Sequence, residues 1–168
     1  MWYVIQTLSG EEDRTAGMIK KMVSPEFVKE CFVPKRERVK KFQGYWNKVE
    51  EVLFRGYAFV VSERPKELYE ELKRIPALTK VLGREGDSFM ALDEKEESMV
   101  KELGNKDHKT LLSRIKVGEQ RTIRIIDGPL KNYEGNIVKV NLHRREAVVQ
   151  VDFMGRAVEL YMGIEMVE

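Results

Sequence analysis

The sequence has few of the residues on which catalysis, metal binding and disulfide bonding depend. Its 168 residues include one cysteine, Cys31, and two histidines, His108 and His143. A single cysteine excludes an intramolecular disulfide and a cysteine-rich zinc site. The histidines lie far apart in the chain, and neither has a metal-ligand spacing. We expect Cys31 to be a small buried residue rather than a nucleophile. The sequence therefore predicts a protein that is not an enzyme, with no metal and no cofactor.

Long apolar runs and a large excess of one charge are also missing. The chain carries 30 basic and 28 acidic residues, a net charge of +2, so no global field attracts polyanions. Any contact with nucleic acid must come from local clusters. The N-terminal residues form no signal peptide, and no segment is long and apolar enough to span a membrane. We expect a soluble, cytoplasmic protein with no membrane partner, and we expect it to be a monomer.

The first hundred residues have the pattern of an α+β domain. Residues 2–8 and 30–33 are rich in aromatic and β-branched side chains, which predicts strands, and 53–61 is apolar enough for a central strand. Helices are predicted where apolar residues recur at helical spacing, from about Glu11 to Val23, from Pro65 to Ile75 and from Asp93 to Leu103. This order predicts helices packed on an antiparallel sheet.

A basic segment with interleaved aromatic residues lies between two of these strands. Basic and hydrophobic residues alternate around Gly44, which predicts a long exposed hairpin rather than core structure. Lys40, Lys41, Tyr45 and Trp46 are the candidate contacts to DNA, either single-stranded or upstream duplex. A solvated hairpin arm explains the same residues equally well.

The last third of the chain changes character. Residues 104–114 are largely polar and without period, which predicts a linker. Five short strands are predicted after it, at 121–126, 136–140, 147–153, 157–160 and 164–167. An open sheet of that size would expose its edges, so we expect a small closed barrel. The predicted domains are therefore 1–103 and 115–168, joined by the linker 104–114.

Two motifs carry a resemblance to a known family. Residues 125–138, Ile-Ile-Asp-Gly-Pro-Leu-Lys-Asn-Tyr-Glu-Gly-Asn-Ile-Val, resemble the KOW motif, in which Gly128 provides a tight turn and Gly135 lets the chain fold back closely. Residues 1–103 resemble the N-terminal domain of the NusG family of transcription elongation factors, with Trp2-Tyr3-Val4 at the start and Leu53-Phe54-Arg55-Gly56-Tyr57-Ala58-Phe59-Val60 as the central signature. The resemblance implies a NusG-type antiparallel sheet with helices, linked to a small KOW barrel of SH3 type.

The NusG resemblance implies that the first domain binds RNA polymerase. In the family, a hydrophobic depression receives the clamp helices of the largest polymerase subunit. Tyr57 and Phe59 stand at matching positions on one face of a predicted strand, and Phe54 is a candidate rim residue. A Tyr-x-Phe strand is more often simply core, whereas aromatic residues grouped on one face can also anchor a partner. The family resemblance favours the partner interpretation.

Three segments resemble the LoaP branch of antiterminators more than the housekeeping NusG proteins. They are residues 68–82, residues 141–147 and the ending 153–167, in which Met154 occupies the place of a phenylalanine that NusG barrels present to Rho and the ribosome. This resemblance implies that the barrel recognises an RNA hairpin. The candidate RNA-binding residues are Lys131, Asn132, Lys139, His143, Arg144 and Arg145. Basic and acidic residues are equal in number from Ile115 onward, so the barrel would bind through a local patch, and a solvated turn is the alternative.

The sequence thus predicts a transcription antitermination factor. It would bind RNA polymerase through its first domain and a nascent RNA hairpin through its barrel, and promote readthrough in specific long operons. Upstream or non-template DNA is a further expected partner of the basic hairpin. The alternative is a general NusG-type factor that bridges RNA polymerase to Rho or the ribosome.

Overall fold

The computed structural model describes residues 1–78 and 88–168, and its chain passes back and forth between two units. Unit 1 contains Met1–Val33 and Phe54–Ser98, and unit 2 contains Pro34–Leu53 and Met99–Glu168. The basic segment predicted to form a hairpin therefore belongs to the same unit as the C-terminal strands. The sequence predicts two continuous domains, 1–103 and 115–168, whereas each unit consists of two separate stretches of chain. The predicted domain boundaries therefore stay a prediction.

Unit 1 is built on a four-stranded sheet with the predicted apolar strand in its interior. The strands are β1 (Trp2–Gln6), β2 (Glu30–Phe32), β5 (Tyr57–Val61) and β6 (Phe89–Ala91), in the order β2-β5-β1-β6. All three pairings are antiparallel. Ile5 and Phe59 are completely buried, because runs of aromatic and β-branched residues place large side chains on the covered face of the sheet. The predicted central strand is confirmed.

The predicted helices of this half are also present. They are α1 (Glu12–Met22), α2 (Pro65–Lys73) and α3 (Glu94–Leu103), and α3 runs from unit 1 into unit 2. Leu68 and Leu72 on α2 are fully buried, as their four-residue spacing requires. At the start of α3, Asp93 Oδ1 accepts a hydrogen bond from the Glu96 amide at 2.7 Å, and Glu96 Oε1 accepts one from the Asp93 amide at 3.0 Å. These reciprocal bonds form a capping box.

A buried carboxylate fixes the beginning of α1. Glu12 is 2% exposed, and its two oxygens accept hydrogen bonds from the amides of Gly10 and Gly56, each at 2.8 Å. Gly56 has a φ of 86°, a left-handed conformation that favours glycine. Glu12 therefore does more than provide negative charge to the first helical turn, because it ties that turn to the loop before β5.

Unit 2 contains a long hairpin with an exposed tip and a partly buried base. The strands β3 (Lys35–Phe42) and β4 (Tyr45–Val52) pair antiparallel, and Gln43 and Gly44 form the turn with φ values of 51° and 84°. Two positive φ values are typical of the tight turns that match the twist of a hairpin. The expectation of a wholly exposed hairpin is wrong for its base. Arg36 and Arg38 are buried there, because they form ion pairs inside the unit.

A curled five-stranded sheet forms the rest of unit 2. Its strands are β8 (Ser113–Val117), β9 (Ile123–Asp127), β10 (Ile137–Asn141), β11 (Glu146–Phe153) and β12 (Arg156–Met166), in the order β10-β11-β12-β8-β9. Two short 3₁₀ segments, Glu119–Arg121 and Pro129–Asn136, lie on either side of β9. Phe153, Leu160 and Met162 lie in the core without exposure. In the described pairing β9 and β10 are edge strands, so the sheet curls without the full hydrogen-bonded closure that we expected.

Two strand predictions in this region need correction. The segments predicted as separate strands at 157–160 and 164–167 form one continuous strand, β12, and the strand β8 is an element that the sequence pattern does not predict. The sequence suggests that Gly163 breaks the chain between two strands, but it pairs with Glu146 inside β12. A Cβ atom at Gly163 would collide with the Glu37 carbonyl oxygen and lie 2.9 Å from the Arg38 Cα. The glycine is therefore needed for the close approach of β12 to β3, not for a turn.

Part of the predicted linker has regular structure. The strand β7 (Lys109–Thr110) pairs in parallel with β3, and Ser113 at the start of β8 is fully buried. Residues 79–82, the last part of the LoaP-like segment 68–82, lie outside the described residues. Among the helices that are described, none has the length and the apolar composition needed to cross a membrane.

Candidate nucleic-acid interface

The two basic clusters predicted from the sequence meet in one cleft of unit 2. The cleft encloses about 650 Å³ between the β3–β4 hairpin and the turn that joins β10 to β11. We call it the cationic cleft, and its lining residues are Arg38, Lys40, Lys41, Trp46, Glu51, His143, Arg144 and Arg145. Five of the eight carry a fixed positive charge and one carries a negative charge. Three of the four candidate DNA contacts and three of the six candidate RNA contacts thus share this surface.

The wall of the cleft formed by residues 142–145 is a turn with a constrained backbone. The Asn141 Oδ1 atom accepts a hydrogen bond from the Arg144 amide at 3.0 Å, and the Arg145 amide donates to the Leu142 carbonyl at 3.3 Å. Arg145 has a φ of 56°, in the left-handed region where glycine is usual. Its guanidinium also donates to the Leu142 carbonyl. These bonds and the backbone conformation fix the position of the Arg145 side chain in the wall of the cleft.

The opposite wall presents an indole to this arginine. The Arg145 Cζ atom lies 4.7 Å from the centre of the Trp46 ring, a cation–π distance. Lys41 is the cross-strand partner of Trp46, and its Nζ atom lies 6.0 Å from the same ring. Trp46 remains 44% exposed despite these contacts. The cleft therefore contains an accessible aromatic surface surrounded by positive charge.

A buried ion-pair network holds the two walls in place. Glu146, 3% exposed, accepts from Arg36 Nη1 at 2.9 Å, and its other oxygen pairs with Arg144 Nε at 2.9 Å. Arg36 Nη2 also bonds to Glu51 Oε1 at 2.6 Å. Because the hairpin supplies Arg36 and Glu51 and the turn supplies Arg144, the network connects both walls through charge-assisted hydrogen bonds.

Arg38 continues this network to the edge of the cleft. Its Nη1 and Nη2 atoms donate to Glu51 Oε1 at 3.3 Å and to the Arg144 carbonyl at 3.2 Å. Its Nε is buried and has no hydrogen-bond partner within the described part of the chain. Burial tends to raise the pKa of Glu51, but the charges of Arg36 and Arg38 and their hydrogen bonds outweigh it, so that this pKa lies below its usual value.

The remaining candidate RNA contacts do not line the cleft. Lys131 and Asn132 are exposed in the segment between β9 and β10, where Lys131 Nζ donates to the Ile125 carbonyl at 3.0 Å. Lys139 is exposed on β10. In the same segment Gly128 has the expected left-handed φ of 103°. The expectation that Gly135 permits a close approach is wrong, because a Cβ atom there would have no described atom within 4 Å.

The aromatic residues expected to contact RNA polymerase lie in the core of unit 1. Phe54 and Phe59 are fully buried and Tyr57 is 6% exposed. Phe59 packs against Phe54 and Phe32, with 5.5 Å between ring centres in both pairs. Phe54 is therefore not a rim residue. Tyr57 and Phe59 are thus buried residues of β5, and Phe54 packs against Phe59. Their role in polymerase binding stays a prediction.

The sequence interpretation misses the ion-paired charges, three of them buried, that build the cleft. Arg36, Arg38, Glu51 and Glu146 look like parts of solvated strands, although each is paired in the structure. One signal is available: Arg36 and Arg38 are two residues apart and so lie on the same face of a strand. A charged residue at every second position is compatible with a solvated face or with a buried ion-pair row. Only the partner strand distinguishes these two cases.

Neither a metal-binding cluster nor a reactive cysteine is found among the described residues. None of them form a group of three or more His, Cys, Asp or Glu side chains that could hold a metal ion. Cys31 is buried, as expected, and burial raises the pKa of its thiol to about 12. A thiol with that pKa is almost entirely protonated at neutral pH, which suits a packing role.

The architecture first defines a class: a mixed α+β protein in which a helix-packed antiparallel sheet is combined with a curled five-stranded sheet bearing a cationic cleft. A family model described as "Transcription termination factor nusG" matches residues 1–121. The chain belongs to the NusG family of transcription termination and antitermination factors.

Curated relatives match nearly the whole length of the chain. The transcription termination/antitermination protein NusG of Haemophilus influenzae is 28% identical over 96% of this chain and 91% of its own length. The proteins of the same name from Buchnera aphidicola and Bacillus subtilis are 27% and 25% identical, over 99% and 92% of this chain. A solved structure of Thermotoga maritima NusG has a TM-score of 0.53 and 22% identity, covering 96% of this chain and 92% of its own. These likenesses confirm the predicted NusG-type α+β fold.

Proposed function

We propose that this protein is a transcription antitermination factor that binds RNA polymerase and a nascent RNA hairpin, and that it promotes readthrough of terminators in specific long operons. The observation that carries the proposal is the cationic cleft, in which the turn His143-Arg144-Arg145 faces the basic hairpin. The chain has a net charge of only +2, yet five lysine and arginine side chains line this one concave surface. That is the local patch that recognition of an RNA phosphate backbone requires.

The turn also provides the specificity that an operon-restricted factor needs. Arginine guanidinium groups pair with phosphates and read base edges, and an imidazole such as His143 can stack on an exposed base. Regular A-form duplex hides its base edges in a deep groove, whereas a hairpin loop or bulge exposes them. The LoaP resemblance of residues 141–147 falls on this turn, so the sequence segment and the cleft support the same assignment.

Binding to RNA polymerase is proposed for unit 1. The relatives carry names that refer to transcription termination and antitermination, which is a process at the elongating polymerase. Since Phe54 and Phe59 are buried, we propose that they hold the shape of the polymerase-binding sheet and that its surface makes the direct contact. The largest-subunit clamp helices are the expected partner, and a stabilised clamp would favour the pause-resistant state.

In this proposal the protein acts by binding and not by catalysis. One chain holding both polymerase and transcript raises the local concentration of each contact once the other has formed, so neither interaction must be tight alone. A monomer in the bacterial cytoplasm, where transcription takes place, satisfies this scheme. The basic hairpin can also approach upstream or non-template DNA in such a complex.

The test is transcription in vitro on a template with a terminator, with and without the native leader hairpin upstream. We expect readthrough to rise with the full-length protein only when the hairpin is present. The double variant Arg144→Ala/Arg145→Ala should weaken hairpin affinity roughly thirtyfold or more and abolish this readthrough, because two arginine contacts worth about 1–3 kcal/mol each are lost. Co-purification with core polymerase should remain at the wild-type level.

A matched control is available in the same unit. Lys116 and Arg124 are exposed cross-strand neighbours on β8 and β9, outside the cationic cleft. The double variant Lys116→Ala/Arg124→Ala removes the same amount of charge and should behave like the wild type. Readthrough or pausing that does not depend on the hairpin, together with binding to Rho or the ribosome, would select the alternative, a general NusG-type factor. Failure to bind core polymerase at all would exclude both.

A further inference from the structure

We propose, building on the proposed function, that the cationic cleft binds an unpaired nucleotide of the RNA and that the β3–β4 hairpin contributes to this site. The base stacks with Trp46 and Arg145, and Lys40, Lys41 and Arg144 hold the flanking phosphates. The hairpin tip is thereby assigned to recognition of the transcript, together with the turn between β10 and β11. From sequence alone, its aromatic and basic residues are candidates for DNA contact only.

The stacked pair at the centre of the cleft has the chemistry of a base platform. Trp46 offers 44% of its surface to solvent, and the Arg145 guanidinium lies 4.7 Å from its ring centre. Indole faces and guanidinium planes are the two kinds of surface on which unpaired bases stack in proteins. Trp46 and Arg145 together therefore present both kinds of surface at one place in the cleft.

The positively charged side chains around Trp46 and Arg145 can bind phosphates. Among the described residues that line the cleft, Glu51 is the one acidic side chain, and Arg36 and Arg38 already engage its carboxylate at 2.6 and 3.3 Å. Lys40 and Lys41 are on the hairpin toward its tip, and the Arg144 side chain is 58% exposed although its Nε pairs with Glu146. A polyanion entering the cleft therefore meets an excess of positive charge on both walls.

The walls are also held at a set separation before any ligand arrives. The hydrogen bond from Arg38 to the Arg144 carbonyl and the ion pair from Arg36 to Glu146 join the hairpin to the turn across 106 and 110 positions of sequence. Both arginines are buried. A site whose walls are already joined loses less conformational entropy on binding than two independent arms would. The volume of about 650 Å³ is in the range of pockets that enclose a small ligand, which suits a nucleotide better than a duplex.

The experiment is a binding titration of the full chain with three probes: a stem-loop RNA with an adenosine-rich loop, the same stem as a fully paired duplex RNA, and single-stranded DNA of the loop sequence. We expect the stem-loop to bind best and to quench the fluorescence of Trp46. Trp46→Ala should weaken stem-loop binding about tenfold or more, the usual loss for one stacked base, and change duplex binding little. Trp46→Phe should recover part of the affinity.

Tyr45→Ala is the matched control. Tyr45 is the neighbouring aromatic residue, 77% exposed, and it is not among the residues that line the cleft. Its replacement should leave binding of the two RNA probes unchanged. Thermal unfolding of each variant checks that the fold is retained, and Trp46→Phe provides the comparison if Trp46→Ala is unstable.

The outcomes separate this inference from the proposed function. If Trp46→Ala and Trp46→Phe bind the stem-loop like the wild type while Arg144→Ala/Arg145→Ala loses binding, the base site is wrong and the RNA function stands. If neither Trp46→Ala nor the arginine double variant weakens stem-loop binding, both are wrong. If the single-stranded DNA binds more tightly than the stem-loop and depends on Trp46, the cleft is a DNA site and the RNA assignment is overturned.

Discussion

At the scale of single residues, two glycines of unit 2 that look alike in sequence have opposite requirements. Gly163 lies inside β12, where a Cβ atom would meet the Glu37 carbonyl and lie 2.8 Å from Leu112 Cδ2. Gly135 lies in open space, with no described atom within 4 Å of the position of a Cβ. Neither position has the left-handed backbone that by itself disfavours a side chain. The difference between them is therefore purely one of packing.

Gly163→Ala is expected to destabilise unit 2. The added methyl group must push β12 away from the backbone of β3, and overpacking of this kind usually costs about 1–3 kcal/mol of unfolding free energy. Since β3 carries the buried arginines that hold the cleft, RNA affinity should fall as well. Urea unfolding followed by circular dichroism measures the loss, and Gly135→Ala is the control that should unfold like the wild type. Equal midpoints for the two variants would contradict the close approach of β12 to β3.

At the scale of elements, the hairpin β3–β4 combines a solvated tip with a buried base. Trp46 and Lys41 at the tip are exposed, whereas Arg36 and Arg38 at the base are almost fully buried. Buried arginines are tolerated because each is paired and hydrogen-bonded, and removing one partner would leave an uncompensated charge in the interior. Glu51 pairs with both arginines within the hairpin, so the stability that these pairs contribute should depend on pH.

Glu51→Gln tests this dependence. The pKa of Glu51 is lower in the folded chain than its ordinary value of 4.5, so the stability that it contributes is fully present above pH 4.5 and is lost as the pH falls through the lower folded pKa. The difference in unfolding free energy between wild type and Glu51→Gln should therefore be constant near neutral pH and shrink at acid pH. Denaturant unfolding between about pH 3 and pH 7 measures it. Glu159→Gln, which removes an exposed carboxylate from β12, is the control for the loss of one negative charge.

Local sequence patterns predicted most elements of the fold but missed elements that depend on a distant partner strand. Leu68 and Leu72 predicted the buried face of α2, and Asp93 marked the start of α3, because helix periodicity and capping are encoded within a few residues. β8 and the continuity of β12 were missed. Each depends on a partner strand, since a short alternating segment becomes a strand only when another strand satisfies its backbone hydrogen bonds.

At the scale of the whole molecule, a near-neutral chain is proposed to bind a highly charged polymer. The net charge of +2 would give weak attraction at any distance. The hairpin and the turn nevertheless bring three cationic side chains to the place where the proposed RNA phosphates would lie: Lys40, Lys41 and Arg144. Counterion release depends on the phosphates that are neutralised locally and not on the net charge. The salt dependence of RNA binding should therefore measure how many phosphates are neutralised in the cleft.

We expect the logarithm of the stem-loop association constant to fall linearly with the logarithm of salt concentration, with a slope of about −2 if Lys40, Lys41 and Arg144 all contact phosphates of unpaired RNA. Arg144→Ala/Arg145→Ala should reduce the slope by about a third, because it removes one of these phosphate contacts, and Lys116→Ala/Arg124→Ala should leave it unchanged. Fluorescence anisotropy at a series of potassium chloride concentrations provides the slopes. A slope equally reduced by both double variants would mean that binding is spread over the surface of unit 2.

The sequence by itself determined the elements of this protein, its family and the residue types available for binding. Helices, the central strand and the tight turn at Gly128 follow from interactions between residues that are close in the chain. Only the tertiary structure decided that Trp46 and Arg145 face each other, that Arg36 reaches Glu146 across 110 positions, and that Phe54 and Phe59 are core. These facts depend on which strands pair and which faces are covered, and pairing between distant segments is decided by the packing of the whole unit rather than by local sequence.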